Sequence, residues 1–262
     1  VEDLGNGYSV GFILEQGFTA DDGNAANANY TTSSGFTRES FMYVTGNFGK
    51  LGFGRTGSLS SGAQSNHILT GWALGTGLGL SSWTSEIGTS YGRLNNTISY
   101  ATPSFSGLTI HAMYSNGIGE DTNKWSENTH YYGIGAKYQA NAIKSSLIFE
   151  AVDNKGGEKN LVGNKVHGDK AYTVNFGFEY NLGSFTPMFA YQWANQDDGK
   201  KTHMFGLSAK VPVAGGDVLA GARYLFGKDE AITTGDDKVR AWNIGAAYIY
   251  PLSKRTAVKA YA

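Results

Sequence analysis

Apolar and polar residues alternate along most of this chain. From Lys170 to Tyr180, the residues Tyr172, Val174, Phe176, Phe178 and Tyr180 share one parity, and Ala171, Thr173, Asn175, Gly177 and Glu179 the other. Trp242–Tyr250 repeats the pattern, with Trp242, Ile244, Ala246, Tyr248 and Tyr250 against Asn243, Gly245, Ala247 and Ile249. A period of two marks a strand, because successive side chains point to opposite faces. About thirteen such segments follow one another: 8–18, 36–45, 50–56, 90–100, 108–115, 129–138, 143–152, 170–180, 185–194, 202–211, 218–226, 238–250 and 256–262. A ten-residue strand is ~33 Å long and, tilted by ~40°, rises ~25 Å, the height of the apolar band of an outer-membrane barrel.

The connections alternate in length. Those at 46–49, 101–107, 139–142, 181–184, 212–217 and 251–255 are short, and those at 19–35, 57–89, 116–128, 153–169, 195–201 and 227–237 are longer. Short turns at one end and long loops at the other is the layout of an outer-membrane barrel, and a soluble sandwich has no reason to sort loop length by strand parity. Tyr43, Phe48, Phe105, Tyr138, Tyr180, Phe185, Tyr248 and Tyr250 gather near the short turns, as an interfacial girdle does.

Composition narrows the class further. Charged residues make up 16% of the 262, Gly accounts for 37, and Tyr and Phe for 16 and 14. Glycine and aromatics at this level disfavour a helical bundle, and the abundance of aromatic and aliphatic residues disfavours disorder. There is no Cys, hence no disulfide framework and no thiolate metal or redox site. The formal net charge of −1 leaves no electrostatic case for nucleic acid. No apolar run reaches the ~18 residues of a transmembrane helix. A mean hydropathy of −0.30 suits a soluble protein, but equally a barrel that faces lipid with alternate residues only.

Four strings resemble the general porin family of Gram-negative bacteria, in its betaproteobacterial and neisserial form: Glu2–Phe18, Gly46–Arg55, Gly92–Gly107 and Pro251–Thr256. They occur in family order and span nearly the whole chain. The resemblance implies a transmembrane antiparallel β-barrel of sixteen strands, about thirteen of them covered here, assembled as a homotrimer in the bacterial outer membrane. Residues 1–262 then form a single barrel domain. The family's signal peptide, two opening strands, final strand and terminal aromatic residue have no counterpart here, so the expectation is a partial sequence. Outer-membrane lipid and lipopolysaccharide, small hydrophilic solutes and inorganic ions are the implied partners. Neither a cofactor nor enzymatic activity is implied.

The function of such a barrel resides in its lumen. A strand Arg or Lys facing lipid at mid-depth costs ~2–4 kcal/mol, so strand cations should point inward. Arg93 shares parity with Asn95, Thr97 and Ser99, opposite Leu94, Ile98 and Tyr100. Lys137, Lys144, Lys210 and Arg223 also oppose apolar faces, and Arg38 shares parity with Ser40 against Phe41 and Tyr43. By resemblance, Arg38, Arg55 and Arg93 contribute to a basic ladder on the pore wall. Alternation puts Arg55 with Leu51 and Phe53, so either a bulge at Gly54 re-aims it or that face is not lipid-facing. Residues 57–89 form the longest connection, with Glu86 as its one formal charge and several Leu, Ile and Trp residues that should pack against something. By resemblance this loop folds into the lumen as the constriction, with Glu86 across from the arginines. Segment 19–35 would by resemblance latch onto a neighbouring subunit. Adding Lys259, the inward cations outnumber Glu15, Glu150 and Glu179, which implies weak anion preference.

Other chemistry is thinly supported. Residues 88–92 match G-x-S-x-G, but a nucleophile elbow needs a strand before it and a helix after it. The five His residues lack metal-ligand spacing. Gly75–Gly79 completes no phosphate-binding fingerprint, and Asp21-Asp22 and Asp236-Asp237 read as loop acids. Two competing readings are a soluble all-β sugar-binding or adhesion protein, whose aromatic faces would close on one core, and a barrel enzyme with a lipid-facing serine or carboxylate site.

Overall fold

The computed structural model describes residues 1–19, 35–75, 83–84, 87–119, 124–154, 170–197 and 199–262. They form one antiparallel sheet of 14 strands, each hydrogen-bonded to its neighbours in chain order. The strands are β1 (Glu2–Gly5), β2 (Tyr8–Glu15), β3 (Glu39–Gly46), β4 (Gly49–Gly57), β5 (Arg93–Ala101), β6 (Leu108–Asn116) and β7 (His130–Ala140). Then come β8 (Ile143–Asp153), β9 (Lys170–Tyr180), β10 (Thr186–Gln196), β11 (Lys200–Val213), β12 (Gly216–Asp229), β13 (Lys238–Ser253) and β14 (Thr256–Tyr261). The strand beyond the expected thirteen is β1. Its four residues are too few to show alternation, but Asn6 and Gly7 (φ 54° and 80°) make the tight mirror-image turn that Asn-Gly favours. The connection at 195–201 is shorter than expected, because β10 and β11 leave only residues 197–199 between them.

Register gives each strand an inner and an outer face. Across β8–β10, Ile148, Asn175 and Gln192 lie side by side on one face, and Phe149, Val174 and Trp193 on the other. The outer face carries Phe12, Met42, Ile98, Ile134, Leu147, Leu207, Trp242 and Ile244, each at least half exposed or nearly so. Leaving such side chains in water forgoes ~1.5–3 kcal/mol each, so this face requires an apolar medium. Two parity expectations fail. Phe41 and Tyr43 turn inward and lie flat on glycines: a Cβ at Gly52 would meet the Phe41 ring at 2.1 Å, and one at Gly11 the Tyr43 ring at 2.5 Å. Leu94 also turns inward. The register shifts between Gly54 and Thr56, Leu94 then pairs with Thr56, and its side chain is fully buried beside Leu59 and Ile118.

The inner face is covered by part of the long connection between β4 and β5. Ser65 bonds Glu39 on β3, and Leu74 packs with Leu219 on β12 and Ala247 on β13. At most ~32 Å of extended chain separates Ser65 from Leu74. On a flat sheet about ten strand spacings of ~4.8 Å would put β3 and β13 ~48 Å apart. The sheet is therefore curled, and the loop spans its concave side.

Candidate functional site

Two acidic side chains anchor the loop to the wall. Glu39 is 2% exposed and Glu150 is fully buried. A buried carboxylate is expensive unless donors surround it, and here the loop and the neighbouring strands together supply them. Glu150 accepts from Ser60 N at 3.2 Å, Ser60 Oγ at 2.5 Å, Tyr131 OH at 2.7 Å, and Thr173 Oγ1 and Asn175 Nδ2 at 3.3 Å each. Glu39 accepts from Thr56 Oγ1 at 2.7 Å, from Ser65 N at 3.2 Å, and from the Ser65 hydroxyl.

Further along, the wall pairs with loop backbone. Gln192 Oε1 accepts from Thr89 N at 2.7 Å, and its Nε2 donates to Thr89 O at 2.8 Å, as a strand neighbour would. Glu179 Oε1 accepts from Gly71 N and Ser208 Oγ from Ala73 N, each at 3.0 Å. The approach is close: a Cβ at Gly177 would sit 2.1 Å from the Thr70 carbonyl oxygen. Beneath these bonds Leu59 and Ile68 pack with Met113, Tyr131, Ile148 and Val152.

The cations fall on both sides of the loop. Toward the long-loop end, Arg38 Nε meets Glu15 Oε1 at 2.6 Å, and Arg55 Nε donates to Thr37 O at 2.6 Å while Nη1 reaches Asn95 Oδ1. Arg55 sits where the β4–β5 register shifts, but the extra residue is on β5 at Asn95–Asn96 (Asn96 φ 50°), so Arg55 keeps the parity of Leu51 and Phe53 and Gly54 does not re-aim it. Arg93 Nε and Nη2 both face the Gln64 side chain, whose oxygen accepts at 3.0 Å when turned toward them. Toward the short turns, Lys50, His67, His111 and Lys137 line a cavity of about 460 Å³. Lys144, Lys210 and Glu179 line another of about 360 Å³ beside Trp72. Lys210 lies 3.6 Å from Asp217. Burial, reinforced by Lys137, lowers the pKa of His67, which Glu39 only partly offsets.

Such a wall, lined on one side and apolar on the other, has known counterparts. The family model for the Gram-negative porins matches residues 1–262. The chain belongs to that family. The porin is 28% identical to outer membrane porin protein 32 of Delftia acidovorans over 98% of this chain and 70% of that one. Among solved structures it resembles the anion-selective porin of Comamonas acidovorans, with 27% identity, TM-score 0.66, and 98% and 74% of the two chains covered. Salmonella typhi OmpF, at 16% identity and TM-score 0.69 over 98% of this chain and 78% of its own, shares the fold. This porin is therefore an outer-membrane β-barrel for general diffusion, and its outer face is the lipid face. The soluble sugar-binding alternative falls with that.

Within the porin, the candidate residues separate by environment. Lys137, Lys144 and Lys210 reach open cavities, and Glu15, Arg38, Arg55 and Arg93 gather at the opposite side of the loop. Arg223 differs from expectation. It is 4% exposed, donates to Trp83 O at 2.7 Å and Asn243 Oδ1 at 3.0 Å, and stacks over Trp72 at 5.1 Å. It holds the loop rather than facing open solvent. Glu86 and most of segment 19–35 lie outside the described residues. Sequence reasoning missed Lys50, and it missed Glu39 as a loop anchor. Glu39 has the parity of Phe41 and Tyr43, the pair whose direction was misjudged, so correcting the parity brings it inward.

Proposed function

We propose that this porin is a homotrimeric, weakly anion-preferring channel whose β4–β5 loop is the constriction. Small hydrophilic solutes and inorganic ions diffuse past that loop without chemistry on the way. The observation that carries the reading is the unequal exposure of the two charge signs. Glu39 and Glu150 are sealed under the loop by hydrogen bonds, whereas Lys50 and Lys137 border one open cavity and Lys144 and Lys210 outnumber Glu179 at another. In a low-dielectric wall such an imbalance focuses an anion-attracting field along the lumen. The arginines Arg38, Arg55 and Arg93 extend that field on the other side of the loop, and Glu86 is the acid assigned across from them. The relative described as an anion-selective porin supports the sign, and a Vibrio cholerae outer membrane protein described in a trimer form supports the assembly. Around the barrel, outer-membrane lipid and lipopolysaccharide meet the outer wall.

The test is conductance of detergent-extracted protein in a planar bilayer across a KCl gradient. Ohmic openings that close in three equal steps, with a reversal potential on the anion side, are expected. A cation-side reversal potential overturns the selectivity, and silence from folded protein overturns the open constriction.

A further inference from the structure

Lys50 is held on the inner wall by aromatic faces rather than by a counter-ion. Its ammonium lies 4.4 Å from the centroid of the Tyr43 ring and 5.5 Å from that of Phe41. Among the described residues it makes no hydrogen bond or ion pair. The register explains the contact. Tyr43 pairs with Gly52 and Thr45 with Lys50, so Lys50 starts two residues nearer the short turn and its stem runs diagonally over Tyr43 toward Phe41. Both rings are themselves fixed. They lie over Gly11 and Gly52, where a Cβ would meet them at 2.5 and 2.1 Å, and Phe41 is 2% exposed. Next along the same face of β3 comes Glu39, whose oxygens are taken by Thr56 and Ser65. The ammonium stops at the rings, beside the cavity that it shares with His67, His111 and Lys137, and no carboxylate lines that cavity.

A solvated lysine spreads its charge over many rotamers, and a lysine beside a carboxylate, as Lys210 is beside Asp217, loses much of its field. A ring face attracts the cation through its quadrupole and leaves the net charge intact. Lys50 thus combines a fixed place with an uncancelled charge. We infer that Tyr43 and Phe41 are positioning residues that hold Lys50 as a selectivity-setting charge on the short-turn side of the loop. This rests on the reading of the channel as anion-preferring, and names a group that carries the preference there. A unit charge ~5 Å from a passing ion, screened at ~0.1 M salt, changes the occupancy of each ion sign about twofold, and so the anion-to-cation permeability ratio about fourfold.

The test is a double-mutant cycle read as the reversal potential in a KCl gradient. Lys50→Met should lower the anion-to-cation ratio about fourfold. Tyr43→Leu keeps the lysine but removes its seat, and should lower the ratio about twofold, because the freed ammonium spreads over its rotamers or reaches Glu39. Tyr43→Phe keeps a ring face and should match the parent. In the Lys50→Met background, Tyr43→Leu should change the ratio no further, whereas a ring needed only for packing would act equally in both backgrounds. Ohmic openings show that each variant is folded, and Tyr43→Met gives the same readout should the leucine variant fail to insert. Equal effects of Tyr43→Leu in the two backgrounds, or a Tyr43→Leu channel with the parent's ratio, refute the positioning. A Lys50→Met channel with the parent's ratio refutes Lys50 as a determinant. A parent that favours cations overturns the wider reading of selectivity, while the coupling between Tyr43 and Lys50 still decides whether the rings position the charge.

Discussion

Replacing Glu150 with alanine tests whether the loop is held by its buried anchor. The substitution removes the acceptor for Ser60 N, Ser60 Oγ, Tyr131 OH, Thr173 Oγ1 and Asn175 Nδ2 at one stroke. Hydroxyls at Ser60 and Thr173 can rotate to new acceptors, and Asn175 Nδ2 keeps its bond to Thr173 Oγ1 at 3.3 Å. The Ser60 amide and the Tyr131 hydroxyl have less choice, since the Leu59 N–H at 3.3 Å donates to Tyr131 OH and gives its proton no acceptor. Two stranded donors at ~1–3 kcal/mol each give about 2–6 kcal/mol, and water entering from the lumen brings this toward the lower end, about 2–3 kcal/mol. That is a shift of about 30- to 140-fold toward a detached loop, at ~1.4 kcal/mol per decade. Single-channel recording should show a larger mean conductance with added fluctuation between levels, and the thermal midpoint should fall. Glu150→Gln keeps one acceptor oxygen and should lie between the two. If Glu150→Ala matches the parent in conductance, noise and midpoint, the carboxylate is not what holds the loop, and the packing of Leu59 and Ile68 must suffice.

Other perturbations probe the same arrangement. Arg223→Ala should destabilise the barrel by about 2–4 kcal/mol in thermal or denaturant unfolding, since it loses the Trp83 carbonyl bond and the stacking over Trp72 together. Gly177→Ala should push the loop off the wall, because the new methyl would lie 2.1 Å from the Thr70 carbonyl oxygen, and conductance should rise. Lys137→Glu and Lys210→Glu together should move the reversal potential in a KCl gradient toward the cation side, as each reverses a charge at an open cavity. Burial and Lys137 lower His67 in the folded protein, so the unfolded chain takes up its proton first. That penalty is absent above the ordinary His value of ~6.5 and grows as pH falls below it. Loop fluctuations should therefore increase below about pH 6, and His67→Gln should remove part of the increase.

The barrel was legible because a membrane wall imposes a strict period of two. Where lipid lies on one side, as at Tyr172–Tyr180 or Trp242–Tyr250, every other residue must be apolar, and no tertiary detail overrides it. The inner side imposes no such rule. Phe41 and Tyr43 read as lipid-facing because they are aromatic, yet the rings lie over Gly52 and Gly11, whose lack of a side chain leaves flat space for them. Leu94 misleads for a related reason: the register shift after Gly54 inverts the count just where the loop rejoins the sheet.

The function of the inner charges was harder to read, because parity says which way a side chain points and not what it meets. Glu150, Arg223 and Lys137 all point inward and counted alike as wall charges. In the folded protein Glu150 and Arg223 are spent on the loop, one through its amide and hydroxyl donors and the other through a carbonyl and a ring. Lys137 remains beside an open cavity. The distinction depends on where an aliphatic stretch such as Leu59–Leu74 settles, which is a long-range packing outcome with no local signature. It also gives the selectivity argument its force. On the proposed reading, a lumen of balanced charges attracts anions when the fold buries Glu39 and Glu150 and leaves Lys137 open, so the loop proposed as the constriction would also set the sign of the field.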